Sequence, residues 1–87
     1  GTNDKPEVIE IKVSNGQQNY FRSLPLHHTQ YEAHTEMYSS TFTFFLRPTF
    51  DFIQELLRYG ADVEVIQPLE LRNQFAKIAT DMNELYK

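Results

Sequence analysis

Residues 41–67 read TFTFFLRPTFDFIQELLRYGADVEVIQ, and the order of patterns in them decides the fold. The first part alternates. Phe42, Phe44 and Leu46 fall on one side of an extended chain; Thr41, Thr43, Phe45 and Arg47 fall on the other. Aromatic and β-branched residues with a period of two make a strand with one buried face. Pro48 stops it, because proline has no N–H to give a sheet. Thr49 then offers an N-cap hydroxyl, and Asp51 a carboxylate for the first helical turn. Phe50, Ile53, Leu56 and Leu57 form an apolar stripe with Phe52 on its flank. Gly60 suits the left-handed residue just past a helix end. Val63 and Val65 then point inward from a short strand. This stretch is therefore strand, helix, strand.

Working upstream, EVIEIKVS (7–14) alternates Ile9, Ile11 and Val13 with Glu10, Lys12 and Ser14, which predicts a half-buried strand. Asn15-Gly16 is a strong hairpin signal, but QQNYFRSL behind it has no alternation. Tyr20, Phe21 and Leu24 instead suit one face of a short helix over 17–23, ended by Pro25. LHHTQYEAH is a weakly patterned strand, with EMYSS as the turn into TFTFFLR. Downstream, Pro68 starts a last helix. Leu71, Phe75, Ile78, Met82 and Leu85 recur there at intervals of 4, 3, 4 and 3 residues, an amphipathic stripe. Glu70, Arg72, Asn73, Lys77, Asp81 and Glu84 fall on its polar side.

The order is β-α-β-β-α-β-α. Its first six elements match an α+β, ferredoxin-like plan, a four-stranded antiparallel sheet with two helices on one face, and the last helix is an addition. Residues 1–6 are expected to be a loose lead-in, and 7–87 a single domain. Gly1 in place of Met points to a cloning remnant and to excision from a longer protein. The predicted core is Phe42, Phe44, Phe50, Ile53, Leu57, Val63, Val65, Phe75 and Ile78.

Composition narrows the function. At 87 residues there is room for one domain below the usual size. Aromatics at 14% help so small a core bury enough surface. The absence of Cys excludes disulfides, thiolate zinc sites and thiol nucleophiles. No apolar run approaches a membrane span, so no membrane partner is expected. The net charge is −4, and no two of the eight cations are adjacent. Duplex DNA needs clustered cations to release counterions, so this chain is not expected to bind it specifically.

His27, His28 and His34 with Glu32 and Glu36 form the one cluster that looks metal-like. On a regular strand His28, Glu32, His34 and Glu36 would point the same way, but over about 26 Å at roughly 3.3 Å per residue. No metal is expected. Serines and threonines lack a base and an orienting group in a recognised frame. Three scattered glycines make no phosphate loop. Neither catalysis nor a cofactor is expected. The uncovered sheet face would carry Glu10, Lys12, Thr43, Phe45 and Arg47, with one aromatic, and TFTFFLR departs from the RNA-recognition signature.

Two segments carry a resemblance. One is LPLHHTQ (24–30). The other is FTFFLRPTFDFIQELLRYGADVEVIQPLELR (42–72), whose telling part is Leu57, Gly60, Asp62, Val63, Glu64, Val65, Pro68, Leu71 and Arg72. Together they resemble the C-terminal, WCX-type region of bacterial WYL-domain transcriptional regulators, over about residues 6–86. LPLHHTQ looks like that family's L-H-x-S-Q element, with Thr29 for Ser. The Trp-Tyr-Leu signature is absent and the chain has no Trp, so ligand residues of the WYL domain do not carry over.

The resemblance implies a ferredoxin-like, cytoplasmic, non-catalytic regulatory domain that dimerises or transmits a signal. It implies as partners the helix-turn-helix and WYL domains of the parent regulator, a second protomer, and a nucleic-acid or small-molecule effector. Arg22, His28, Gln30 and Arg47 are the polar residues it places at an interaction surface. The alternation adds Phe45 and Lys12 on the uncovered face. The competing expectation is a free-standing ferredoxin-like sensor of small molecules or nucleic acid.

Overall fold

The computed structural model describes residues 5–87, so the lead-in over 1–6 lies outside the described residues apart from Lys5 and Pro6. The chain runs β1 (Glu7–Ser14), α1 (Gln18–Ser23), β2 (Tyr31–Thr35), β3 (Ser39–Leu46), α2 (Phe50–Leu57), a 3-10 turn (Gly60–Asp62), β4 (Val63–Gln67) and α3 (Leu69–Leu85). The strands form one antiparallel sheet in the order β2-β3-β1-β4. The protein is thus α+β, with a four-stranded antiparallel sheet and three α-helices among the described residues.

Alternation and register build the core together. Ile9 lies opposite Phe44, and Ile11 lies between Phe42 and Val65. Val13 lies between Ser40 and Val63. Cross-strand partners share a face, so these side chains make one continuous buried surface. On it α1 lays Phe21, whose ring centre is 5.4 Å from Phe42 and 4.9 Å from Tyr59. Phe52 of α2 meets Phe44 edge-on at 5.1 Å, and Leu71 of α3 closes the cluster.

Asn15 and Gly16 both take positive φ, 58° and 85°, as a tight Asn-Gly turn requires. The turn forms, with the Gln17 N–H donating to the Ser14 carbonyl at 3.2 Å, but a helix follows it and no hairpin. The Asn15 side chain instead donates to Asp62 Oδ1 at 2.7 Å and ties the turn to the start of β4.

The buried line of α2 differs from the predicted one. Thr49 caps the helix as expected, accepting from the Phe52 N–H at 3.2 Å. Phe52 and Leu56, four residues apart, face the sheet; Ile53 and Leu57 are half-buried, and Phe50 is exposed. Five apolar residues in eight leave the phase of so short a helix open, and the Phe44 ring selects it. Phe50 and Leu57 therefore fall outside the buried core, and so does Ile78 on α3, while Phe75 and Ile53 pack at its margin.

β2 brings a second correction. Glu32 pairs with Phe42 and His34 with Thr41, with a bulge at the residue between. An extra residue inverts the alternation beyond it. Glu32 is thereby turned to the helix side and His34 to the other, so the four residues expected to point one way do not. Among the described residues, no three His, Asp or Glu converge on a metal position. Ser39 and Ser40 belong to β3 rather than to the turn, which is closed by the Glu36 N–H donating to the Ser39 carbonyl at 2.8 Å.

α3 lies along β4, an edge strand. Arg72 Nη1 donates to the Val65 carbonyl and to Glu64 Oε2, each at 2.8 Å, covering part of that edge. No described helix is long and apolar enough to cross a membrane.

Candidate interaction surface

The sheet face turned away from the core is built by the other half of each alternation. Val8 lies directly opposite Phe45, and Tyr31 opposite Thr43, one step diagonal from Phe45. Phe45 is 56% and Tyr31 67% exposed, and Val8 is exposed beside them. Side chains at diagonal positions are within reach of one another when aromatic. These three make an apolar patch at one end of the sheet. Lys12 sits between Thr41 and Glu64, four residues along β1 from Val8 and so about 13 Å away at the strand rise. Glu10 is tied by the Gln67 amide, which donates to Glu10 Oε1 at 2.8 Å.

The loop before β2 borders the aromatic end. Thr29 Oγ1 accepts from the Phe45 N–H at 2.9 Å, and the Thr29 N–H donates to His27 Nδ1 at 3.2 Å. The hydroxyl thus stands in for a strand partner at the end of β3. Gln30 locks the other side: its Oε1 accepts from the Leu26 N–H at 3.0 Å, and its Nε2 donates to the Phe21 carbonyl at 2.8 Å. LPLHHTQ is therefore a latch, and a Thr at position 29 keeps the hydroxyl that a Ser would supply. His28 is exposed, its ring 4.3 Å from that of His27.

On the helix side, Arg22 and Glu32 form a two-point ion pair. Nε donates to Oε1 at 2.8 Å and Nη2 to Oε2 at 2.6 Å. The Ser40 hydroxyl donates to Oε2 at 2.6 Å and that of Thr35 at 2.9 Å. Asn19 Oδ1 accepts from Arg22 Nη1 at 2.8 Å. The hydrogen bond from Arg22, then that from Ser40, lowers the Glu32 pKa from the ordinary 4.5 to about 2. A carboxylate with a depressed folded pKa stabilises the fold fully above its unfolded pKa, and this stabilisation is lost as pH falls through the folded one. Melting temperature should thus fall from about pH 4.5 to about pH 2. Glu32→Gln should melt lower at neutral pH and lose less over that window. Parallel curves for the two proteins would show that the pair contributes nothing.

The six residues singled out from the sequence are not brought to one place. Phe45 lies on the uncovered face, with exposed Arg47 just beyond the strand and His28 in the adjoining loop. Lys12 is on the same face but distant. Arg22 is on the opposite side, bound to Glu32, and Gln30 holds the latch. Sequence reasoning missed Val8, which the alternation of β1 already implied. It also missed Tyr31, which only the register across β2 reveals.

A twisted antiparallel sheet, helices packed on one side and an aromatic patch left bare on the other define a small α+β module. The family model described as the WCX domain matches residues 5–82, nearly the whole chain, and the chain belongs to that family. Membership associates it with the C-terminal regulatory region of WYL-type transcription regulators. No curated protein matches the chain.

Proposed function

We propose that the chain is the C-terminal interaction domain of a WYL-type bacterial transcriptional regulator. In this reading it has the ferredoxin-like plan, works in the cytoplasm and carries a signal between partners without chemistry of its own. The ferredoxin-like plan is supported by the β-α-β-β-α-β order and by β1 lying between β3 and β4 in an antiparallel sheet. The observation that carries the functional reading is the bare face with Phe45, Tyr31 and Val8 side by side, in a chain of this family. Aromatic residues at an exposed patch are the type enriched in binding hot spots. The non-catalytic reading is supported by Glu32, the carboxylate with the clearly displaced pKa among the described residues: four donor groups of its own fold occupy it.

The partner of the bare face is the rest of the regulator, and an effector or second protomer acts through that contact. Duplex DNA is left to the helix-turn-helix part. Fluorescence anisotropy with the 87-residue chain should give no affinity for duplex DNA tighter than about 10⁻⁵ M at physiological salt, within the non-specific range. Tight, sequence-selective binding would overturn this division of labour.

A further inference from the structure

α3 is longer than the strand it packs on. Its 17 residues span about 25 Å, and the five of β4 about 17 Å. Past Leu71 the helix therefore outruns its support: Phe75 and Ile78 are half-buried, whereas Met82 is 56% and Tyr86 84% exposed. Between this helix and the α2–β4 connection lies a groove of about 590 Å³. Leu57, Ala61 and Val63 line one side, and Phe75, Ala79 and Met82 the other. The short side chains of Ala61 and Ala79 leave the space between the walls unfilled.

We infer that this groove binds a small, uncharged, mainly hydrocarbon molecule that carries one hydrogen-bonding group, a hydroxyl or an amide. Its volume lies within the roughly 300–1,000 Å³ of small-molecule sites, and apolar walls with a few polar groups are their usual lining. The charges decide the class of ligand. Glu64 and Arg72 are the lining residues that carry charge, and Arg72 Nη1 donates to Glu64 Oε2 at 2.8 Å. The pair sums to zero. An anion beside Arg72 would also meet Glu64, a cation beside Glu64 would also meet Arg72, and either would lie against apolar walls with no counter-charge of its own. The polar group is placed by the far end of the helix. Asn83 and Tyr86, neighbours three residues apart on α3 and its cap, bring an amide and a phenol hydroxyl to the exposed mouth. The hydrocarbon then runs from there past Ala79 towards Leu57 and Val63, and takes that apolar surface out of water. Val8, Tyr31 and Phe45 do not line the groove, so the inference stands apart from the sheet-face reading.

The test titrates the 87-residue chain with N-phenyl-1-naphthylamine, an uncharged dye that fluoresces in apolar surroundings. Fluorescence should saturate at one dye per chain. Decan-1-ol should displace the dye with a Kd below about 0.1 mM, and decanoate, of the same length but charged, at least about tenfold more weakly. Ala79→Trp, which fills the groove from an exposed helix position, should weaken uptake at least about tenfold with an unchanged far-UV spectrum. Ala76→Met, a smaller obstruction on the same wall, should weaken it in the same direction, and Phe45→Ala should not change it. Absence of saturable uptake, equal displacement by decanoate, or a loss at position 45 and not at 79 overturns the inference. So does any result that gives the groove to another occupant: uptake that falls as the chain is concentrated (a second copy), uptake lost in the full regulator (another part of that protein), or sedimentation of the chain with phosphatidylcholine vesicles (a membrane surface). None of these results touches the sheet-face reading, which fails separately if that face is equally reactive in the chain and in the whole regulator.

Discussion

Phe42→Ala is expected to lower the free energy of unfolding by about 3–5 kcal/mol, the usual cost of emptying a buried aromatic site. Phe42 is 1% exposed, stacks on Phe21, and sits in register beside Ile11 in the middle of the sheet. Its loss leaves a cavity between α1 and β3 that neighbouring β-branched residues cannot fill. Phe45→Ala, three residues on in the same strand, should change stability by less than about 0.5 kcal/mol, because that ring is on the surface. Urea denaturation of both variants measures the contrast. Equal costs would mean that the two faces of β3 are not core and surface.

The second large effect concerns contact rather than stability. Phe45→Ser with Arg47→Ala in the full regulator should weaken assembly or the response to effector by at least about tenfold, the loss typical of a hot-spot residue. The same pair of changes should leave the melting temperature of the 87-residue chain nearly unchanged. Phe45 contributes through its exposed ring, and its backbone stays held by Thr29 whatever side chain it bears. Unfolding of the altered chain would make Phe45 a core residue. An unaltered response in a stable chain would place the contact on another surface.

The strands were legible where one face is apolar without interruption. β1, β3 and β4 follow from Ile9, Ile11 and Val13, from Phe42, Phe44 and Leu46, and from Val63 and Val65. Thr49, Pro48 and Pro68 marked helix starts and strand ends through backbone chemistry that needs no neighbours. The phase of α2 was not legible, since Phe50, Phe52, Ile53, Leu56 and Leu57 offer several stripes and only the Phe44 ring chooses between them. The bulge in β2 was hidden as well. Nothing in YEAHT distinguishes the residue that drops out of register, so the opposite facing of Glu32 and His34, and with it the place of Tyr31, depends on β3. The candidate surface was half visible for the same reason: Phe45 came from a regular strand, and Tyr31 came from the irregular one. Arg22 and Gln30 looked available because a sequence does not show which polar side chains the fold will use internally. The stripe of α3 was read correctly as a stripe, but where it stops being covered depends on the length of β4 beneath it.

Hydroxyl-radical footprinting of the 87-residue chain and of the full regulator tests the central claim most directly. Tyr20, exposed on α1 away from the bare face, serves as the internal standard. If the WCX sheet face is the contact to the rest of the regulator, oxidation of Phe45 and Tyr31 should drop several-fold in the full regulator while Tyr20 reacts equally in both. Equal oxidation of Phe45 and Tyr31 in the two proteins would contradict it.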